Sequence, residues 1–315
     1  MRHFLKETDF SRDEIEEVFL LATAYKEGRG RDATPFLGGQ TWGLLFYKNS
    51  TRTRLSFEVG IGELGGRTVY LDKNAMQIGR GETLHDTAKV LSRYINGLVI
   101  RTFGQDIVEE IAEHATIPVV NGLTDLLHPC QIYSDALTIA EKLGDPRQPF
   151  ESLAGKKLAF LGDTSCNMAN SWILGGAMLG MEISLGGPDD HQPGSDALAL
   201  FEKEGFSGKF HFTTDASEAV ANADVVYTDV WVSMGCEAEE DERLSKMRPY
   251  AVTADLLAKA KPDALFMHCM PTHPDLEVSQ EVLDSPQSII FDQAENRLHA
   301  QKAIVTLLAR EASGS

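Results

Sequence analysis

Short apolar runs alternate with amphipathic segments along most of this chain. Residues 42–47 form an apolar, aromatic run typical of a buried strand, and apolar residues recur at helical spacing over 55–61. Between them, Asn49, Ser50 and Thr51 offer side chains that cap helices. The pattern therefore predicts a strand, a turn and a helix, in that order.

The same alternation continues to the C-terminus. In the first half it predicts helices over 13–26, 83–94, 105–114 and 131–143, and strands over 68–71, 97–101 and 118–121. In the second half it predicts strands over 157–161, 182–185, 225–227, 265–267 and 289–291, and a final helix over 296–309. Between the halves, residues 144–149 are rich in turn formers and predict a hinge.

Strands that alternate with helices indicate parallel βαβ units. We therefore expect an α/β protein with two doubly wound domains, each with a central parallel sheet flanked by helices. The expected domains are residues 1–144 and 145–295, and the helix over 296–315 is expected to pack back on the first domain.

The charge balance narrows the classes of partner. Among 315 residues, 29 Lys and Arg against 47 Asp and Glu give a net charge of −18, which disfavours nucleic acid and anionic membrane surfaces. The sequence contains no apolar run of about 20 residues and begins without a signal pattern, so we expect no membrane partner and a cytoplasmic location. The cysteines, Cys130, Cys166, Cys236 and Cys269, are far apart with no C-x-x-C pair, which argues against a zinc site and a disulfide framework.

The turn after residue 47 carries the chemistry of an anion site. A helix start presents unpaired N–H groups and partial positive charge, and Arg52 and Arg54 add planar forks suited to phosphate. No Gly-rich phosphate loop of the G-x-x-x-x-G-K-[ST] type occurs. The alternative interpretation is a capped helix with two solvated arginines.

Further polar residues follow other predicted strands, where ligands of open α/β sheets bind. Arg101 ends one strand, and His128 and Gln131 lie one turn apart at a helix start, able to hold a carbonyl oxygen and an amide N–H. The 229–235 segment offers an acid and a hydroxyl to a small cationic molecule, and Arg297 is expected near the start of the last helix. The turn over 161–167 suggests a dinucleotide site but lacks G-x-G-x-x-G.

Together these segments resemble the aspartate/ornithine carbamoyltransferase family over essentially the whole chain. The similar stretches are Ser-Thr-Arg-Thr-Arg over 50–54, His-Pro-Cys-Gln over 128–131, His-Cys-Met-Pro over 268–271 and the segment around Arg297. Asp229 followed by Ser-Met-Gly over 233–235 resembles the element that binds ornithine rather than aspartate. Cys166, where asparagine is frequent, and Met270, where leucine is usual, depart from the family pattern, and the second exchange conserves volume.

The resemblance implies transfer of the carbamoyl group of carbamoyl phosphate to the δ-amine of ornithine, without metal or cofactor, in a homo-oligomer, expected to be a trimer. It assigns carbamoyl phosphate to Ser50, Thr51, Arg52, Thr53, Gln77, Arg101, His128, Pro129, Cys130, Gln131, Cys269, Met270 and Arg297, with Gln77 serving its own or a neighbouring subunit. It assigns ornithine to Asn167, Asp229, Ser233 and Met234. The implied catalytic set is Arg52, Arg101, His128, Asp229, Cys269 and Arg297.

Three alternatives stay open at this point. One is a sister carbamoyltransferase that acts on putrescine, an acylated ornithine or aspartate. Another is a Rossmann-type dehydrogenase, against which the missing glycine fingerprint speaks. The third is a non-catalytic module that binds anions. The direction of the reaction, biosynthetic or arginine-degrading, is also open because both directions use the same groups.

Overall fold

The structure, a computed structural model, describes residues 1–31, 35–72, 81–231 and 240–314. These residues form two compact units, residues 1–149 with 295–315, and residues 150–294. Among the helices in these ranges, none has the length and apolar content needed to cross a membrane.

The first unit is built on a four-stranded parallel sheet in the order β2-β1-β3-β4. Its strands are β1 (Thr41–Phe46), β2 (Arg67–Asp72), β3 (Gly97–Arg101) and β4 (Val119–Leu123). Its helices are α1 (Arg12–Glu27), α2 (Thr51–Glu63), α3 (Leu84–Tyr94), α4 (Gln105–His114) and α5 (Pro129–Leu143). Every strand and helix predicted for this half is present, with ends shifted by only a few residues.

Burial explains why these segments form the centre of the first unit. Trp42 to Phe46 of β1 are buried, and Leu45 packs with Ile100 of β3 and with Val108 and Ile111 of α4. Gly97 is required where β3 passes β1, because a Cβ there would lie 2.5 Å from the ring of Trp42. The continuous apolar runs therefore form parallel strands, because a strand that is buried on both faces of a sheet needs apolar side chains on both.

The second unit contains a five-stranded parallel sheet in the order β7-β6-β5-β8-β9. Its strands are β5 (Lys157–Leu161), β6 (Glu182–Gly186), β7 (Phe210–Thr213), β8 (Val225–Thr228) and β9 (Leu265–His268). Its helices are α6 (Pro149–Leu153), which begins at the boundary, α7 (Asn167–Met178), α8 (Ser195–Lys203), α9 (Ala216–Val220), α10 (Glu240–Met247), α11 (Ala254–Leu257) and α12 (Gln280–Leu283). The last helix, α13 (Ile290–Ala312), belongs to the first unit from Glu295 onward. The two parallel sheets flanked by helices confirm the predicted fold class.

Two predicted features of the second half are wrong. The expected strand over 289–291 is the beginning of α13, and beside β9 the chain makes only an isolated bridge from Ser288 to Phe266. Three apolar residues in a row do not separate a strand from a buried helical turn. Arg297 consequently lies two turns inside α13 rather than near its start. The short edge strand β7 was not predicted.

Both sheets contain a point where the chain reverses its direction of winding. In the first unit this point lies between the neighbouring strands β1 and β3, and in the second unit it lies between β5 and β8. Ligands of open parallel sheets bind beyond the carboxyl ends of strands at such points. These strand ends carry Ser50 and Arg101 in the first unit and Asn167 and Asp229 in the second unit.

Candidate functional site

In the first unit, the start of α2 is a capped helix terminus. The Ser50 side chain caps it, because Ser50 Oγ accepts a hydrogen bond from the main-chain N–H of Thr53 at 3.3 Å. Thr51 is exposed, Arg52 is half-buried and Thr53 is buried. The terminus thus presents main-chain N–H groups and one half-buried guanidinium, as an anion site requires.

Two buried arginines converge on this terminus. Arg101 Nη1, from the end of β3, and Arg297 Nη2, from α13, each donate to Thr53 Oγ1 at 3.4 Å. The two arginines and Thr53 are 9%, 4% and 1% exposed. Two like charges held at one hydroxyl raise the local positive potential, which favours an anion at the helix start.

His128 and Gln131 lie at the beginning of α5, beside the two arginines. Burial, followed by the charges of Arg297 and Arg101, holds the pKa of His128 well below its usual range. The imidazole is therefore neutral near pH 7 and can donate one hydrogen bond. Gln131 Oε1 accepts from Arg297 Nη1, and Gln131 Nε2 donates to Asp135 Oδ1 at 2.8 Å. Gln131 thus orients Arg297, a role that the sequence did not indicate.

Pro129 and Cys130 are buried in the first turn of α5. The Cys130 thiol donates to the carbonyl oxygen of Asn121 at 3.3 Å, and burial raises the pKa of this thiol to about 12. The thiol is therefore protonated and bonded to the main chain of the core. Pro129 contributes no N–H but fixes the backbone for the helix start.

Arg54 does not join the anion site, contrary to the expectation of two adjacent arginine forks. Its Nε pairs with Glu58 Oε2 at 3.2 Å, and its guanidinium lies 4.1 Å from the centre of the Tyr70 ring. Residues two apart on a helix do not share a face, so Arg52 and Arg54 point in different directions.

In the second unit, Asp229 and Cys269 meet at the carboxyl ends of β8 and β9. Asp229 Oδ1 accepts from the Cys269 thiol at 3.0 Å and from the N–H of Val230 at 2.8 Å. Burial raises the pKa of Asp229, and the nearby His268 and the thiol partly oppose this shift. The pair offers a carboxylate and a thiol to a cationic ligand.

Buried neighbours support this pair from behind. His268 Nδ1 accepts from the N–H of Met270 at 2.8 Å, so a neutral His268 carries its proton on Nε2. That Nε2 lies 3.4 Å from Oε1 of Glu277, which is 1% exposed. Met270 has a φ of 61°, a sparsely populated conformation that sites of function often retain.

Asp229, His268 and Cys269 also form a group that could hold a metal ion. One ligand atom of each lies within 4.8 Å of the others, and no other such group occurs among the residues that the structure describes. Carboxylate, imidazole and thiolate are ligands that zinc accepts. The sequence, which predicted no metal site, did not reveal this grouping because the three residues meet only in the fold.

The turn after β5, which suggested a dinucleotide site, is in contact with other side chains of the second unit. A Cβ at Gly162 would lie 2.8 Å from Trp231 Nε1, so the indole covers this turn. Asp163 accepts from Ser165 Oγ at 2.6 Å and is paired with Arg243. Asn167 begins α7 beside this turn. The geometry agrees with the missing glycine fingerprint.

Three predicted ligand-binding residues cannot be assigned a position. Gln77, Ser233 and Met234 lie outside the described residues. Their expected roles stay predictions.

Comparisons with known proteins agree with the two-unit organisation of the chain. Residues 2–141 match the carbamoyl-P binding domain of aspartate/ornithine carbamoyltransferase, and residues 154–308 match the Asp/Orn binding domain. The chain belongs to the aspartate/ornithine carbamoyltransferase family. The family assignment disfavours the dehydrogenase alternative.

Individual relatives are similar over nearly their whole length. The chain is 48% identical to the ornithine carbamoyltransferase of Bifidobacterium longum subsp. infantis over 316 residues, which covers 100% of this chain and 97% of the relative. It is 52% identical to that of Syntrophus aciditrophicus over 302 residues, with 95% and 97% covered. The solved ornithine carbamoyltransferase from Pyrococcus furiosus superimposes with a TM-score of 0.88 at 42% identity, with 98% and 96% covered.

Proposed function

We propose that this chain transfers the carbamoyl group of carbamoyl phosphate to the δ-amine of ornithine, giving citrulline and phosphate. The observation that carries the proposal is the pair of buried guanidinium groups of Arg101 and Arg297, which meet at Thr53 beside the neutral His128. The similarity to ornithine carbamoyltransferases over the full chain supports ornithine as the acceptor.

In the first unit, the proposed ligand is carbamoyl phosphate. The helix start at Ser50, Thr51 and Thr53, together with Arg52, would bind the phosphate and stabilise it as it departs. The carbonyl oxygen gains negative charge during attack, and Arg101 and His128 would donate hydrogen bonds to it. Because His128 is neutral, it can donate without first taking up a proton. Loss of one such donor typically costs about 10²-fold in rate.

Other first-unit residues have less direct proposed roles. Arg297 would contact the carbamoyl end of the ligand, and Gln131 would hold Arg297 in place. Pro129 and Cys130 would shape the main chain next to the ligand, since the Cys130 thiol is bonded to Asn121. Gln77 keeps the carbamoyl phosphate-binding role that the family resemblance implies.

In the second unit, the proposed ligand is ornithine. Asn167, Asp229, Ser233 and Met234 would bind it, and Cys269 would help Asp229 to orient its δ-amine. Cys269 and Met270 keep the carbamoyl phosphate role that the family resemblance implies. The δ-amine is protonated near neutral pH and must lose a proton before it can attack. Burial raises the pKa of Asp229, which makes this carboxylate a better proton acceptor than an exposed aspartate. Its bond to the Cys269 thiol fixes the carboxylate for this task.

The proposed assembly is a homotrimer, an expectation that the family resemblance supports. Native mass spectrometry of the purified protein would measure the number of subunits directly. A monomer or a dimer would contradict the expectation without affecting the assignment of the reaction.

The experiment that tests the reaction is a colorimetric assay for ureido products with a panel of amines. Purified protein and carbamoyl phosphate are supplied in turn with ornithine, putrescine, N-acetylornithine or aspartate. We expect product with ornithine and at least about 100-fold less with the others, because an amine that leaves buried polar groups of the site unpaired is rejected at least this strongly. Faster turnover with another amine would identify a sister enzyme, and binding of carbamoyl phosphate without any turnover would indicate an anion-binding module.

A further inference from the structure

Gln301 lies one helical turn beyond Arg297 on α13 and is 1% exposed. A guanidinium has only hydrogen-bond donors, so the amide oxygen of Gln301 must face Arg297. In that orientation Gln301 Oε1 accepts from Arg297 Nη2 at 2.7 Å and from Arg297 Nε at 3.1 Å. One amide oxygen therefore holds two donors of the guanidinium.

The other end of the Gln301 amide reaches α2. Gln301 Nε2 donates to Ser56 Oγ at 2.6 Å. The Ser56 hydroxyl in turn donates to the carbonyl oxygens of Arg52 at 2.7 Å and of Thr53 at 3.2 Å. The amide thus connects Arg297 to the main chain of the helix turn that carries Arg52 and Thr53.

A second amide holds another donor of the same guanidinium. Arg297 Nη1 donates to Gln131 Oε1, and Gln131 is itself held by Asp135. The two amides come from α13 and α5, so the guanidinium is fixed from two different helices. An arginine side chain has several rotatable bonds. The hydrogen bonds from the two amides therefore disfavour side-chain conformations of Arg297 that would move its charge away from Thr53.

We infer that Gln301 is a positioning residue for carbamoyl phosphate: it fixes the guanidinium of Arg297 relative to the first turn of α2 without neutralising its charge. The inference rests on the proposed function of this site. The amide matters as much as the length of the side chain, because a carboxylate at position 301 would hold Arg297 and cancel its charge. Gln301 acts through Arg297 and is not expected to touch the substrate.

Three variants and one control test this role. Gln301→Leu removes both hydrogen-bonding ends, Gln301→Glu keeps the contact with Arg297 but adds a negative charge, and Ser56→Ala removes the anchor on α2. The control is Thr306→Val, a buried residue of α13 whose hydroxyl bonds to Tyr25 at 2.9 Å. The control changes a hydrogen bond of the same helix away from Arg297.

The measurements are kcat, the KM of each substrate and the thermal midpoint without ligand. For Gln301→Leu we expect kcat/KM for carbamoyl phosphate to fall about tenfold, and for Ser56→Ala about threefold. Both should affect the same substrate because the two residues belong to one hydrogen-bond network with Arg297. The KM of ornithine at saturating carbamoyl phosphate should change less than about twofold in both variants. Thr306→Val should lower the thermal midpoint while leaving both KM values unchanged.

Gln301→Glu separates positioning from bulk stability. We expect its thermal midpoint to equal or exceed that of the wild type, because the introduced carboxylate pairs with Arg297, while kcat/KM for carbamoyl phosphate falls by more than in Gln301→Leu. Kinetic constants for Gln301→Leu and Gln301→Glu that match those of Thr306→Val would overturn the inference. Failure of the proposed function is visible separately, because wild-type protein would then show neither turnover nor thermal protection by carbamoyl phosphate.

Discussion

His299 makes the stability of the first unit depend on pH in a predictable direction. The side chain is fully buried in α13, two residues beyond Arg297, and neither ring nitrogen has a hydrogen-bond partner among the described residues. Burial, then the charges of Lys26, Lys302 and Arg29, lower the pKa of His299 from 6.5 to about 4, against a smaller opposing effect of Glu63. Glu295 is more distant, with Oε1 3.9 Å from Nε2.

The sign of the effect follows from which state binds the proton. Above pH 6.5 the imidazole is neutral in both the folded and the unfolded chain, so it has no influence. Between pH 6.5 and about 4 the unfolded chain is protonated at His299 and the folded chain is not, so stability falls as the pH falls. Between about pH 7.5 and about pH 5.0 this one group should cost about 2 kcal/mol. For a unit of this size that corresponds to about 4–8 °C in the thermal midpoint.

The perturbation is His299→Leu, which keeps a buried side chain of similar size and removes the titrating group. We expect the variant to gain about 2 kcal/mol relative to wild type between about pH 7.5 and about pH 5.0, measured by urea unfolding of the first unit. His3, whose pKa is also lowered to about 4, is present in both proteins and cancels in the difference.

The matched control is Thr306→Val, which changes a buried, non-titrating side chain of the same helix and should give the same difference from wild type at both pH values. A His299→Leu difference that does not change with pH would refute the reasoning. It would mean that His299 is solvated in the folded protein, and the burial of α13 in the first unit would then be wrong.

Three further predictions concern the proposed sites. Arg52→Ala should raise the KM of carbamoyl phosphate at least about tenfold, whereas Arg54→Ala, which loses only the Glu58 pair and the Tyr70 contact, should change it less than about twofold; equal effects in steady-state kinetics would contradict the geometry. Asp229→Asn should abolish the acidic limb of the pH profile of kcat/KM for ornithine. Burial raises the pKa of this carboxyl, so its ionised form is lost at a higher pH than in an exposed aspartate. An acidic limb that is unchanged in the variant would contradict the role of Asp229 as proton acceptor. Native protein treated with iodoacetamide at about pH 8 should remain unlabelled at Cys130, since the pKa of this thiol is about 12, and peptide mass spectrometry that finds labelled Cys130 would show that the thiol is not buried.

The parts of the site that could be predicted from sequence are those fixed by local structure. The apolar run before residue 47 and the capping residues after it determine a strand end and a helix start at adjacent positions. Arg101 ends a buried strand, so its place at the same edge of the sheet follows from the parallel topology. His128 likewise precedes a helix whose first residue is Pro129.

The parts that could not be predicted depend on contacts between distant segments. The predicted start of α13 was wrong because three consecutive apolar residues, 289–291, are compatible with a strand as well as with a buried helical turn. Gln301 and Glu277 are buried polar residues whose partners, Arg297 and His268, define their roles only after folding. The i, i+4 spacing of Arg297 and Gln301 was the one available signal, and it gains meaning only once α13 is known to continue through both positions.

The way Arg297 is held explains how a site can keep an unusual charge ready for a ligand. Gln131 and Gln301 fix the guanidinium through amide oxygens, and Thr53 accepts from both Arg297 and Arg101 through a hydroxyl. Dipoles of this kind orient a cation yet leave most of its field directed at the helix start, whereas a carboxylate would cancel it. Holding two guanidinium groups close together lowers the stability of the empty site, and a bound anion recovers that loss. At the proposed site, the affinity for a phosphorylated ligand would therefore arise from repulsion between the two guanidinium groups of the free protein as well as from the contacts made on binding.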